Sequence, residues 1–117
     1  MTTSSPDSAK TFTYEEAQEL MPLVIELTRS AVEKIDILLV GNDAGTEEEI
    51  SDEVLDEYNE IVDSWAEAIL DLGIEVKGLW LVDFDSGSGY YCWKYPEPAL
   101  SYFHGHDEGF QGRVKLN

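Results

Sequence analysis

Leu79-Trp-Leu-Val-Asp-Phe84, Asp85-Ser-Gly-Ser-Gly89 and Tyr90-Tyr-Cys-Trp-Lys-Tyr95 follow one another without a break, and this stretch decides the fold class. Two short aromatic and β-branched runs flank a Gly/Ser segment, which is the pattern of a hairpin. A third run, Ala99 to His104, follows Pro96-Glu97-Pro98. The runs predict a three-stranded antiparallel meander over 79–84, 90–95 and 99–104. Nine of the thirteen aromatic residues lie between Trp80 and Phe110, so the sheet carries the bulky part of the core. Asp83-Phe-Asp85-Ser-Gly87 opens like a calcium loop but lacks its later acidic positions, and reads as the hairpin turn.

Upstream of Gly73 the apolar period changes. Val24, Leu27, Ala31, Ile35 and Leu38 form one helical stripe that should end before Gly41. Ile50, Val54, Tyr58, Ile61, Trp65, Ala68 and Leu72 form a second, with Gly73 placed for a left-handed cap. Thr13 with Glu16, and Thr46 with Glu49, have capping-box spacing, and Phe12 is placed to staple to Ala17. Pro22 lacks an N–H and clashes with the carbonyl four residues earlier, so the pattern predicts a short helix over 14–20 and a kink or restart at Pro22. The fold class is therefore α+β, an antiparallel helical hairpin packed on the sheet. Residues 1–11 are polar and aperiodic and read as a disordered segment, leaving 12–117 as a single domain.

Charge narrows the function. Seven Lys+Arg stand against 25 Asp+Glu, a formal net charge of -18. Polyanions are bound through Lys and Arg, so nucleic acid and anionic membrane surfaces are excluded as partners. No apolar run is long enough to span a bilayer. The opening MTTSSPDSAK lacks the apolar core of a signal peptide, and the single cysteine, Cys92, has no partner for an intrachain disulfide. These features point to a soluble cytoplasmic location. Fourteen carboxylates and no Lys or Arg lie between Lys34 and Lys77. The acidic helix over 46–72 is thus either a solvated face or a docking face for a basic protein partner.

The reactive side chains gather in the last third. Asp83, Cys92, Lys94, Glu97, His104, His106, Asp107, Glu108 and Arg113 all fall there, with both histidines and the only cysteine. His104 and His106 have the i, i+2 spacing that shares a strand face, and imidazole with carboxylate suits a divalent metal. No cofactor is predicted; a divalent metal on His104, His106 and Asp107 is the alternative. A Cys92–His104 nucleophile pair is chemically feasible, because an imidazolium lowers a thiol pKa. Lys94 and Arg113, two of few cations, read either as clamps for an anion or as partners of Glu97 and Asp107.

Phe12-Thr-Tyr-Glu-Glu-Ala17 through Leu20-Met-Pro22, Gly73-Ile-Glu-Val-Lys77, Leu81-Val-Asp-Phe84, Cys92-Trp-Lys94, Glu97 and His104 through Gly109-Phe-Gln-Gly-Arg113 resemble the family filed as domain of unknown function 2203. The resemblance spans nearly all of residues 12–115. It implies no activity, substrate or cofactor, but it singles out Asp83, Cys92, Trp93, Lys94, Glu97, His104, Gly109 and Arg113. The sequence departs from the family pattern at Pro96, where Gly is usual, and at Phe103, where Trp is usual.

These observations lead to three expectations. The first is a non-catalytic or regulatory module that binds a partner or small anionic ligand near the C-terminal motif, with Asp83, Cys92, Trp93, Lys94, Glu97, His104 and Arg113 as the candidate ligand-binding residues. Lys94 and Arg113 would be its donors, and Trp93 and Tyr102 its apolar wall. The second is a small metal- or thiol-dependent hydrolase using His104, His106, Asp107 and Cys92. The third is a homodimer through the helical hairpin, anchored by Tyr58 and Trp65.

Overall fold

The computed structural model describes residues 10–41 and 51–116. Helix α1 (Tyr14–Gly41) and helix α2 (Asp52–Asp71) form the predicted hairpin, and five strands follow as one antiparallel sheet in the order β1-β2-β3-β4-β5. The strands are β1 (Glu75–Gly78), β2 (Leu81–Asp85), β3 (Tyr90–Lys94), β4 (Tyr102–His104) and β5 (Val114–Lys115). The three expected strands are present with shifted bounds, 81–85, 90–94 and 102–104 against 79–84, 90–95 and 99–104, and the pairs β1·β2 and β4·β5 extend the meander on both sides.

Local chemistry sets the helix ends. Thr13 and Glu16 form the reciprocal box: Thr13 N–H donates to Glu16 Oε1 at 2.9 Å and Glu16 N–H to Thr13 Oγ1 at 3.0 Å. Phe12, just ahead of the cap, is buried with Ala17 and meets Phe84 edge-on at 5.3 Å. The predicted Thr46–Glu49 box and the apolar Ile50 lie outside the described residues. Ser51 caps α2 instead, its Oγ accepting from Val54 N–H at 3.2 Å. Gly73 takes φ +88 after the helix, the left-handed geometry for which glycine is suited.

Two expectations are corrected here. Helix α1 runs through Pro22 and includes Gly41, with no separate helix over 14–20. Gln18 and Pro22 are both exposed, so the turn that loses an intrahelical hydrogen bond lies on the solvent side of the helix, where the loss costs least. The run Leu79–Phe84 is not one strand. Leu79 and Trp80 form the turn between β1 and β2, with Trp80 at φ 59. The Trp80 ring packs edge-on against Trp65 at 4.8 Å, which holds a bulky residue in a conformation usually left to glycine or asparagine.

The sheet has two unlike faces because side chains alternate along a strand and directly paired residues share a face. Val82 and Phe84 on β2, with Trp93 on β3, join Val24, Ala31, Trp65 and Ile69 of the helices in the core. Trp65, proposed from the sequence as a dimer anchor, is buried there and donates from Nε1 to Thr28 Oγ1 at 2.8 Å. The acidic residues of α2, from Asp52 to Asp71, are all exposed. No helix of the described residues is long and apolar enough to cross a membrane. The opposite face of the sheet carries the polar residues.

Candidate metal centre

Register builds the site. Asp83 on β2 sits opposite Cys92 on β3, and Cys92 opposite Tyr102 on β4. His104 is two residues beyond Tyr102 and pairs with Tyr90, which in turn pairs with Asp85. All of these point away from the helices. The chain after β4 passes beside this face through a 3₁₀ turn (Phe110–Gly112) before pairing as β5, and Glu108, Gly109 and Phe110 lie near Asp83, Cys92 and His104. Asp83, Cys92 and His104 are buried to 2%, 1% and 4% exposure, a degree reached by carboxylates and imidazoles almost only when they have partners.

One ligand-type atom from each of these three residues lies within 4.8 Å of the others. His104 is held by both ring nitrogens: Nδ1 lies 2.9 Å from the Gly105 carbonyl oxygen and Nε2 lies 3.0 Å from Asp83 Oδ2. A carbonyl only accepts, so Nδ1 carries a proton and donates it. Nε2 is the nitrogen left to face the carboxylate, either donating a proton to Oδ2 or, without one, offering its lone pair to a cation beside that oxygen. The other oxygen, Asp83 Oδ1, is buried and has no hydrogen-bond partner. Burial, then the negative charge of Asp83, push the Cys92 thiol up to about 12 against the opposing pull of Arg113, so at neutral pH it is a protonated, unreactive thiol in the absence of a cation.

The turn after β4 fixes this geometry. The Gly105 carbonyl also accepts from Glu108 N–H at 3.0 Å, and the Gly105 N–H donates to Glu108 Oε1 at 2.9 Å, so the residue whose carbonyl orients His104 is itself tied through both its peptide groups. Gly89 gives the close approach of β3 to β4. A Cβ there would lie 2.7 Å from the His104 carbonyl oxygen and overlap the Phe103 ring.

The other predicted residues fall in different places. Trp93 is fully buried on the helix side of the sheet, across from Cys92, and its Nε1 donates to the Glu97 carbonyl at 2.8 Å. Arg113 is already engaged: Nη1 and Nη2 hold the two carboxylate oxygens of Glu97 at 3.1 and 2.8 Å, and the guanidinium lies between the rings of Tyr102 and Phe110 at 3.9 and 4.0 Å. Its Nη1 also approaches Cys92 Sγ at 3.9 Å. Pro96, at the family's usual glycine position, follows a cis bond, and the turn still aims Glu97, whose Oε1 accepts the Lys94 N–H at 2.9 Å. His106 is half exposed and lies on Asp85 Oδ1 at 2.9 Å, and Asp107 is exposed. His104 is thus grouped with Asp83 and Cys92, and neither His106 nor Asp107 joins it.

A cavity of about 340 Å³ opens beside the three residues, lined further by Lys77, Leu81, Glu108, Gly109 and Phe110. Reading the residues alone did not pair Asp83 with Cys92 and His104. Their common signals were the crowding of reactive side chains into the last third and the resemblance, in which all three are motif positions. Lys77 had no signal beyond belonging to a matched run.

The family model described as an uncharacterized conserved protein, DUF2203, matches residues 10–116, and the chain belongs to that family. No curated protein and no solved structure matches the chain.

Proposed function

We propose that this member of the DUF2203 family is a metal-binding domain whose Asp83, Cys92 and His104 hold one divalent cation of the zinc class. The observation that carries the reading is the unpartnered, buried Asp83 Oδ1 beside a histidine whose Nδ1–H is already committed to a carbonyl. A cation satisfies the orphaned oxygen and the Nε2 lone pair together. A second hydrogen bond from the imidazole to a backbone carbonyl is the usual way a metal-binding histidine is oriented. Thiolate with imidazole and carboxylate selects zinc or a neighbouring transition metal over magnesium or calcium. Bond lengths of about 2.0–2.3 Å place ligands roughly 3–4 Å apart, so atoms already within 4.8 Å need only small side-chain rotations.

This reading is preferred over the anion clamp because Arg113 is spent on Glu97 and its two flanking rings, and because Lys94 does not line the cavity. It is preferred over a free thiol nucleophile because the Cys92 thiol is pushed up to about 12. Metal binding instead removes that proton directly. The test is uptake of zinc or cobalt by metal-free protein, followed by native mass spectrometry and by the thiolate-to-cobalt charge-transfer absorption. One ion per chain is expected, lost in Cys92→Ala, Asp83→Asn and His104→Ala and kept in His106→Ala and Asp107→Ala. Absence of uptake, or uptake unaffected by Cys92→Ala and Asp83→Asn, overturns it.

A further inference from the structure

We infer that the metal's remaining coordination position opens into the cavity and takes a small oxyanion, a carboxylate or phosphate group, with Lys77 as the counter-charge on the cavity wall. The inference rests on the metal reading above. Among the described residues, Asp83, Cys92 and His104 are the one group of metal-type side chains that converge, and no fourth such side chain completes it. Three protein ligands with a position left to a solvent or substrate atom is the arrangement of reactive metal sites, whereas purely structural sites are closed by four.

The cavity is shaped for more than a water molecule. Its volume of about 340 Å³ is at the lower end of the small-molecule range. Leu81, Gly109 and Phe110 give it an apolar wall, and Lys77 is the one Lys or Arg among its lining residues. The Lys77 ammonium is positioned from two sides, by Glu75 Oε1 at 3.2 Å and by the face of Tyr90 at 4.3 Å. Its pair with Glu75 is a single contact at 36% and 38% side-chain exposure, unlike the two-oxygen, largely buried grip of Arg113 on Glu97, so the ammonium can turn from Glu75 to an incoming ligand at small cost. Asp83 and the Cys92 thiolate together neutralise a divalent cation, and an oxyanion bound at the open position adds a negative charge that Lys77 offsets. The Glu108 carboxylate on the same wall is held by the Gly105 N–H, and its charge favours a singly charged carboxylate or phosphate over a doubly charged one.

The experiment uses full-length protein loaded with cobalt, titrated with acetate and separately with inorganic phosphate, and read by the visible cobalt absorption. At least one of the two should shift the spectrum saturably below the concentration that strips the metal, and the stronger of them identifies the preferred group. Lys77→Ala should weaken that binding by about fivefold or more while leaving cobalt affinity within about twofold. A loaded protein whose spectrum responds to neither anion overturns the inference and leaves the metal reading intact, and so does equal oxyanion affinity in Lys77→Ala. Failure to take up cobalt at all overturns both.

Discussion

Replacing His104 by Ala and Asp83 by Asn should have opposite consequences for the metal-free protein, although both remove a ligand. His104→Ala leaves the Asp83 carboxylate, with 3% side-chain exposure, without the imidazole that lies 3.0 Å from its Oδ2. An uncompensated buried charge costs about 3–5 kcal/mol, a large fraction of the 5–15 kcal/mol that typically holds a domain together. Asp83→Asn keeps the volume, leaves no buried carboxylate charge behind, and supplies an amide N–H that can donate to His104 Nε2, so a hydrogen bond across the 3.0 Å contact survives. Its metal-free stability should fall within about 1 kcal/mol of the parent. The assay is urea unfolding at neutral pH with a chelator, followed by tryptophan fluorescence and checked for equal m-values. Adding zinc at about a hundred times its Kd should then stabilise the parent by about 2.7 kcal/mol and neither variant. If Asp83→Asn loses as much metal-free stability as His104→Ala, the cost lies in breaking the pair and not in the buried charge left behind, and this reasoning is wrong.

Other outcomes follow from the same geometry. Thr28→Val should cost about 1–3 kcal/mol in thermal or urea unfolding, because it leaves the buried Trp65 N–H without its acceptor, and a Trp65→Phe background should remove most of that cost. Gly89→Ala forces Cβ against the His104 carbonyl and the Phe103 ring, and should cost about 1–3 kcal/mol and lower cobalt affinity through the displaced His104. Alkylation of Cys92 in metal-free protein near pH 8 should proceed only at the rate of unfolding, since a thiol pushed up to about 12 is roughly one part in ten thousand thiolate there; fast labelling of the native protein would contradict the burial argument.

Much of the fold was legible because it rests on local rules. The helical stripes, the Thr13–Glu16 box, the Gly73 cap and the Ser/Gly hairpin each depend on residues within a few positions of one another, and the structure has all four. Trp80 escaped that reading because its left-handed turn carries no glycine or asparagine signal and is held by Trp65, fifteen positions earlier in the chain. β1 escaped it because Glu75-Val-Lys-Gly78 has little to bury.

The site divides along the same line. Composition and order alone determined an acidic α+β domain with its reactive side chains crowded into the last third, and the family resemblance marked Asp83, Cys92 and His104 among its motif positions. Which of those side chains meet was decided by strand register, because a shift of one residue would send Cys92 into the core and Trp93 to the cavity. Pairing of Asp83 with Cys92, and of His104 with Tyr90, brings three of the residues together on the face away from the helices. The same tertiary arrangement commits Arg113 to Glu97 and leaves Lys77 on the cavity wall. These choices depend on contacts between segments distant in the chain, whose energies depend on the assembled sheet and are not encoded in any local spacing.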